Sequence, residues 1–316
     1  MVTILYDPRF LLHDSGPGHP EQPARLKQVV DDLQQHPQWQ GHLRWPAFNA
    51  ATRTDLLRVH AADYLALLRT EQPQVHAEVR QLSTGDSPLS SHTLQVAALA
   101  SGAAMAGVDA VMQGDSLSAF ALVRPPGHHA STRRGMGFCI YNHVAVAARY
   151  AQQRYGLQRV LIIDIDVHHG NGTQAIFEAD PSVFYFSAHQ HPLYPGTGKP
   201  EETGIGLGHG YSMNVTLAAG SDASATLTAL QQQLQPAMQR FKPELVLVSA
   251  GLDAHAGDVL GQLQYTDADY AEIARQVVRL ASLYAQGRSV WVLEGGYVPE
   301  HNAQAVEAIL QVLTAQ

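Results

Sequence analysis

Asp164, Asp166 and His168 stand at alternate positions in the stretch V-L-I-I-D-I-D-V-H-H-G-N-G, which runs from Val160 to Gly172. An extended chain puts alternate side chains on one face, so the three converge wherever strand geometry persists. Gathering two carboxylates beside an imidazole is costly unless a cation neutralises them. Oxygen and imidazole donors, in a chain with 1 cysteine, point to zinc or another divalent ion. Val160 to Gly172 therefore reads as half of a metal site.

Other clusters could complete it. Asp253, in S-A-G-L-D-A-H from Ser249 to His255, offers a third ligand, and three protein ligands leave a position for water, as in a catalytic site. Its plainer reading is a turn or helix-capping residue. His128 and His129 follow Pro125-Pro126-Gly127, a stiff turn, and an imidazole pair facing that water is equipment for proton transfer. Asp164 would hold one imidazole cationic; Asn171 would orient the other without a carboxylate's charge, leaving it neutral and the better base. Tyr297, after Glu294-Gly295-Gly296, would give its hydroxyl to a developing oxyanion, although a core tyrosine is the bland alternative.

The elements that must carry these residues alternate along the chain. Val2 to Tyr6 reads as a first strand, and His13 to Pro23 as a Gly, Pro and His loop. Leu26, Val29, Val30 and Leu33 recur at helical spacing and predict a helix from Glu21 to Gln35. Helices follow at Ala61 to Arg69 and Ser91 to Met112, with turn chemistry at Ser83 to Ser91 between them. Strands at Ser118 to Val123, Arg159 to Asp164, Val183 to Ser187, Ser212 to Leu217, Leu245 to Ser249 and Ser289 to Leu293 alternate with further segments. Those are helices at His143 to Tyr155, Ala223 to Phe241, Asp267 to Tyr284 and Glu300 to Leu313, and a long loop at His189 to Gly210. Near-continuous apolar strands separated by helices predict an α/β fold: a single domain over residues 1–316 with a mostly parallel central sheet flanked by helices. In such sheets ligands bind beyond the carboxyl ends of the strands, where four strands run into R-P-P-G-H-H, D-I-D-V-H-H, A-G-L-D-A-H and E-G-G-Y.

A net charge of −8 and a pI near 6.1 argue against a nucleic-acid-binding surface. Cys139 has no intrachain partner, so the chain does not depend on an oxidising compartment and fits the cytoplasm. The amino-terminal residues lack the apolar core of a signal peptide, and no apolar stretch approaches the roughly 18 residues of a membrane span. Gly204, Gly206, Gly208 and Gly210 precede a strand, which excludes a dinucleotide loop. His13, His19, His60, His189, His191, His209 and His255 read as loop, rim or structural residues, and His169 as structural support.

Taken together, these motifs resemble the zinc-dependent histone deacetylase family, which has the arginase/deacetylase fold. The carriers are H-P-E-Q-P-A-R-L at His19 to Leu26, R-P-P-G-H-H at Arg124 to His129, and G-F-C-I-Y-N at Gly137 to Asn142. D-I-D-V-H-H-G-N-G-T at Asp164 to Thr173, S-A-G-L-D-A-H, and L-E-G-G-Y at Leu293 to Tyr297 complete the set, and Asn171 with L-E-G-G-Y looks class II-like. The resemblance implies one catalytic zinc on Asp166, His168 and Asp253, His128 paired with Asp164, His129 as general base and acid, and Tyr297 as oxyanion donor. It implies Phe138 and Tyr194 as walls of a tunnel for an acylated lysine in a protein or peptide, with substrate contacts at Gly137 and Leu260. It further implies one or two structural potassium ions, the first on Asp164 and Ser187 with carbonyls of Asp166 and His168. The second would use carbonyls near Phe177, Asp180, Val183 and Tyr211. Arg25 matches an arginine lining an internal channel. Acetylated polyamines are the other substrate class; members devoted to them tend to carry an acidic gate where this chain has Leu260. A non-catalytic acyl-lysine reader is a third reading, and a binuclear ureohydrolase would need further carboxylates.

Overall fold

Eight strands form one all-parallel sheet in a computed structural model that describes residues 1–75 and 78–316. They are β1 (Val2–Leu5), β2 (Leu43–Arg44), β5 (Ser118–Ala121), β6 (Val160–Asp164), β7 (Val183–Gln190), β8 (Ser212–Leu217), β9 (Leu245–Ala250) and β10 (Ser289–Leu293). A separate antiparallel pair is β3 (Arg80–Gln81) with β4 (Pro88–Leu89). The sheet order is β2-β1-β5-β10-β9-β6-β7-β8, so the four strands whose ends carry the polar clusters lie side by side at its centre. Register then aligns their ends: Asp164 is level with Ser187 and Ser249, and Leu293 with Ala250.

The helices are α1 (Ala24–Gln35), α2 (Arg53–Leu56), α3 (Ala62–Glu71), α4 (Thr93–Met112), α5 (His143–Tyr155), α6 (Asn171–Phe177), α7 (Ser224–Ala229), α8 (Gln235–Phe241), α9 (Asp267–Tyr284) and α10 (Pro299–Thr314). The central strands are buried on both faces, which is why they read as unbroken Val, Leu, Ile and Ala runs rather than alternating ones. Each fully buried Val, Leu or Ile contributes roughly 1.5–3 kcal/mol. Thr266 and Asp269 form a capping box that starts α9, and Gly156, in the left-handed region, ends α5.

Three expectations change. α1 begins at Ala24 and not at Glu21, because the Glu21 carboxylate is drawn into a buried ion cluster with Arg25 and Arg124. The helix expected at Ala223 to Phe241 is α7 and α8 joined through a widened π segment, Leu230–Leu234, just before Pro236, whose ring nitrogen has no N–H for the α ladder. α4 is long and apolar enough to span a membrane, with a mean hydropathy of 1.5 over its best window, contrary to the reading that no stretch approaches that length. That window is 67 % buried within the protein, where α4 packs on β1, β5, β10 and α5 as a core helix.

Candidate active site

The sheet edge brings Asp166, His168 and Asp253 together, with one donor atom from each lying within 4.8 Å of the others. His168 Nδ1 is 3.1 Å from Asp166 Oδ1 and 3.2 Å from Asp253 Oδ2. Backbone N–H groups fix the other carboxylate oxygens: Gly295 donates to Asp166 Oδ2 and Val167 to Asp253 Oδ1, each at 2.9 Å. Position 295 admits only glycine, since a Cβ there would sit 2.0 Å from Asp253 Oδ2.

This donor set fits a divalent cation. Asp253 Oδ2 is buried and has no hydrogen-bond partner among the described residues. Burial and the neighbouring Asp166 push the Asp253 carboxyl up to about 7. Burial opposes charge on His168, yet the two carboxylates push its pKa up to about 10. The cluster is thus short of positive charge, the deficit a metal ion removes.

The two histidines of the Pro-Pro-Gly turn have opposite electrostatics. His128 Nδ1 lies 3.0 Å from Asp164 Oδ2 and its Nε2 3.8 Å from Asp166 Oδ2. Burial disfavours its charge, but Asp166 and Asp164 outweigh burial and raise its pKa well above the usual value. His129 Nδ1 meets Asn171 Oδ1 at 2.8 Å; burial, then the charges of His128 and His168, hold its pKa well below 6.5. Because Asn171 Oδ1 is an acceptor, Nδ1 of a neutral His129 carries the hydrogen and Nε2 is left to take a proton. The structure thus places His128 against Asp164 and His129 against Asn171.

A cavity of about 220 Å³ opens onto this cluster, lined by Asp86, His129, Gly137, Phe138, His168, Leu193, Tyr194, Leu260 and Tyr297. Phe138, Tyr194, Leu260 and Gly137 therefore all line one cavity with His129, His168 and Tyr297. Phe138 holds a left-handed φ of 66°, uncommon for a non-glycine residue, and its ring packs edge-on to His19 and Tyr297. Tyr297 is buried, and burial raises its pKa well above 10, so its hydroxyl stays a donor. Arg25 supports it: the guanidinium lies 4.8 Å from the Tyr297 ring centroid and donates to the carbonyls of Gly296 and Glu294.

Asp164 is level with Ser187 in the sheet and also accepts from the Tyr185 hydroxyl at 3.0 Å. Phe177, Asp180, Val183 and Tyr211 gather near the opposite end of β7. There the carbonyls of Phe177, Asp180 and Tyr211 accept N–H groups of Asp180, Val183 and Tyr185 at 2.9, 3.5 and 2.9 Å.

Three further residues shape the site. The Glu294 carboxylate accepts from Gly127 N at 2.6 Å, His128 N at 3.0 Å and Ser249 Oγ at 3.0 Å. Asp86 accepts from Gly137 N at 2.6 Å and the Tyr194 hydroxyl at 3.0 Å. Leu193 lines the cavity beside Tyr194. In the sequence Glu294 stands within L-E-G-G-Y and closes an apolar strand, where an unpaired charge is rarely found.

A parallel sheet flanked by helices, with a candidate metal-ligand cluster at its carboxyl edge, defines the class as α/β, and comparison with known proteins supplies the family. Residues 19–313 match the histone deacetylase domain family, and the chain belongs to it. It is 39 % identical to histone deacetylase 14, chloroplastic, of Arabidopsis thaliana, over 100 % of this chain and 77 % of that protein. Identity to the polyamine deacetylase HDAC10 of Homo sapiens is also 39 %, over 96 % of this chain and 46 % of that one. The crystal structure of an HDA15 HD domain superposes with a TM-score of 0.92 at 35 % identity, covering 99 % of this chain and 89 % of that one.

Proposed function

We propose that the protein is a zinc-dependent amidohydrolase that removes the acetyl or a related acyl group from N-acyl-lysine side chains. The observation that carries this reading is the joint presence, around one cavity, of a triad of possible metal ligands, an imidazole held by a carboxylate beside one held by an amide, and a buried tyrosine. Zinc on Asp166, His168 and Asp253 would supply Lewis-acid polarisation of water and of the acyl carbonyl. His129 Nε2 accepts the proton as water attacks, and Asn171 keeps its ring in the required tautomer. The Tyr297 hydroxyl donates to the oxyanion of the tetrahedral intermediate, and His129 then passes its proton to the departing amine. His128, held cationic by Asp164 and Asp166, places positive charge behind the reacting centre. Asp164 with Ser187 would hold one potassium ion and the carbonyls near Phe177, Asp180, Val183 and Tyr211 a second, both structural.

Acyl-lysine is favoured over acetylpolyamine by the tunnel mouth. Leu260 stands at the gate beside exposed Val259. Asp258 accepts from Leu260 N on one oxygen and from Tyr297 N on the other, whereas Asp86 accepts from Gly137 N and Tyr194 on Oδ1 alone. Among the described residues lining the cavity Asp86 is the only carboxylate, and it is the one acidic group there that a second amine on the substrate could meet. The polyamine reading draws support from the human relative's name and from the net charge of −8. Turnover of an acetyl-lysine peptide against acetylputrescine and acetylspermidine tests the choice; higher kcat/KM on the peptide is expected, and selective hydrolysis of a polyamine would reverse it.

A further inference from the structure

His169 follows the ligand His168 and is buried, yet none of the steps above uses it. Its bonding can be read from its partners. Gln174 Nε2 donates to Glu202 Oε2 at 2.7 Å, so Gln174 Oε1 is the acceptor, and it receives Asn214 Nδ2 at 2.7 Å and His169 Nε2 at 3.0 Å. His169 Nδ1 is then the acceptor for the Thr197 hydroxyl at 2.8 Å. The His189 ring, 4.7 Å away, donates from Nε2 to the Gly198 carbonyl at 3.0 Å, and Glu202 accepts the N–H groups of Gly198 and Lys199, each at 3.0 Å. Gly198 is wedged between the two imidazoles: a Cβ there would lie 2.4 Å from His189 Nε2 and 2.5 Å from His169 Cγ.

Thr197 and Gly198 lie just beyond Leu193 and Tyr194, which wall the cavity. The Tyr194 ring stands 5.2 Å from His129 and 6.2 Å from His168, with its hydroxyl on Asp86. One end of this wall is thus tied through Asp86 and the other through the buried network. We propose that His169 is a positioning residue: with Thr197, Gln174 and Glu202 it clamps the tunnel wall carrying Leu193 and Tyr194 to the segment carrying the ligand His168. The clamp sets tunnel width and hence substrate binding, whereas His128, His129 and Tyr297 reach the site on other elements. Its effect on substrate rests on the function proposed above; its effect on the loop does not.

Thr197→Val removes the hydroxyl at nearly constant shape and leaves the metal segment untouched, while Thr197→Ser keeps the hydroxyl. Steady-state kinetics on an acetyl-lysine peptide are to be paired with backbone amide exchange across residues 193–199. Thr197→Val should raise KM about 2- to 10-fold, the worth of one lost hydrogen bond, with kcat within about twofold of wild type. Exchange across that segment should quicken, and Thr197→Ser should match wild type in both assays. Wild-type KM in the valine variant, equal behaviour of the two variants, or a fall in kcat alone would overturn the proposal. If the wild-type enzyme hydrolyses neither the peptide nor acetylpolyamines, the functional reading fails, and exchange alone then decides the clamp: unchanged rates in Thr197→Val sink it.

Discussion

The Glu294 carboxylate accepts the backbone N–H of His128 at 3.0 Å, tying the exit of β10 to the turn that presents both imidazoles. The same carboxylate receives Gly127 N and Ser249 Oγ, so one buried side chain joins the ends of three neighbouring strands. Removing it in Glu294→Ala leaves three buried donors unpaired, each costing about 1–3 kcal/mol. Reduced kcat and a lowered Tm are expected for that variant. Glu294→Gln, which keeps an amide oxygen as acceptor, should lose less of both. Equal losses in the two variants would show that bulk, and not the acceptor, is what matters.

Tyr297 lines the cavity with His129, its ring in contact with both Arg25 and Phe138. Tyr297→Phe keeps that packing and deletes only the hydroxyl. A fall in kcat of about 10²–10³-fold is expected, the usual cost of losing one oxyanion donor, with metal content unchanged. A wild-type rate would remove the role assigned to this hydroxyl.

The strand ends were legible in the sequence because a parallel sheet buried on both faces writes each strand as an apolar run, and the polar residue ending each run marks the edge that carries the candidate site. Asp166, His168, Asp253, His128, His129 and Tyr297 all follow that rule and reach one cluster or its cavity. Glu294 obeys it too, but its purpose depends on Gly127 and His128, which are remote in sequence and contribute only backbone groups. The start of α1 was misplaced for a similar reason: Pro20 and Pro23 allow a helix from Glu21, and only its tertiary pairing with Arg124 draws that residue out. His169 looked inert because Thr197 and Gln174 carry no motif of their own.

His143 is fully buried beneath the Pro-Pro-Gly turn, bonded to Ser101 Oγ at 2.9 Å and to the Pro125 carbonyl at 3.0 Å. Burial holds its pKa down to about 4, against 6.5 for the free side chain. The folded state therefore keeps it neutral while the unfolded chain takes up a proton first. Its stabilisation is present above pH about 6.5 and is lost as pH falls towards about 4, amounting to about 3 kcal/mol over that window. Urea unfolding of wild type and His143→Phe between these pH values should show a shallower pH dependence in the variant, and an identical slope would contradict this assignment.

The central claim is that turnover depends on a metal ion held by Asp166, His168 and Asp253. The direct measurement is metal content by mass spectrometry alongside turnover, for wild type, chelator-treated wild type and Asp253→Ala. We expect about one zinc ion per chain in active wild type, loss of metal and turnover together on chelation, recovery of both with added zinc, and neither in Asp253→Ala. Full turnover by metal-free enzyme, or by Asp253→Ala, would contradict the account.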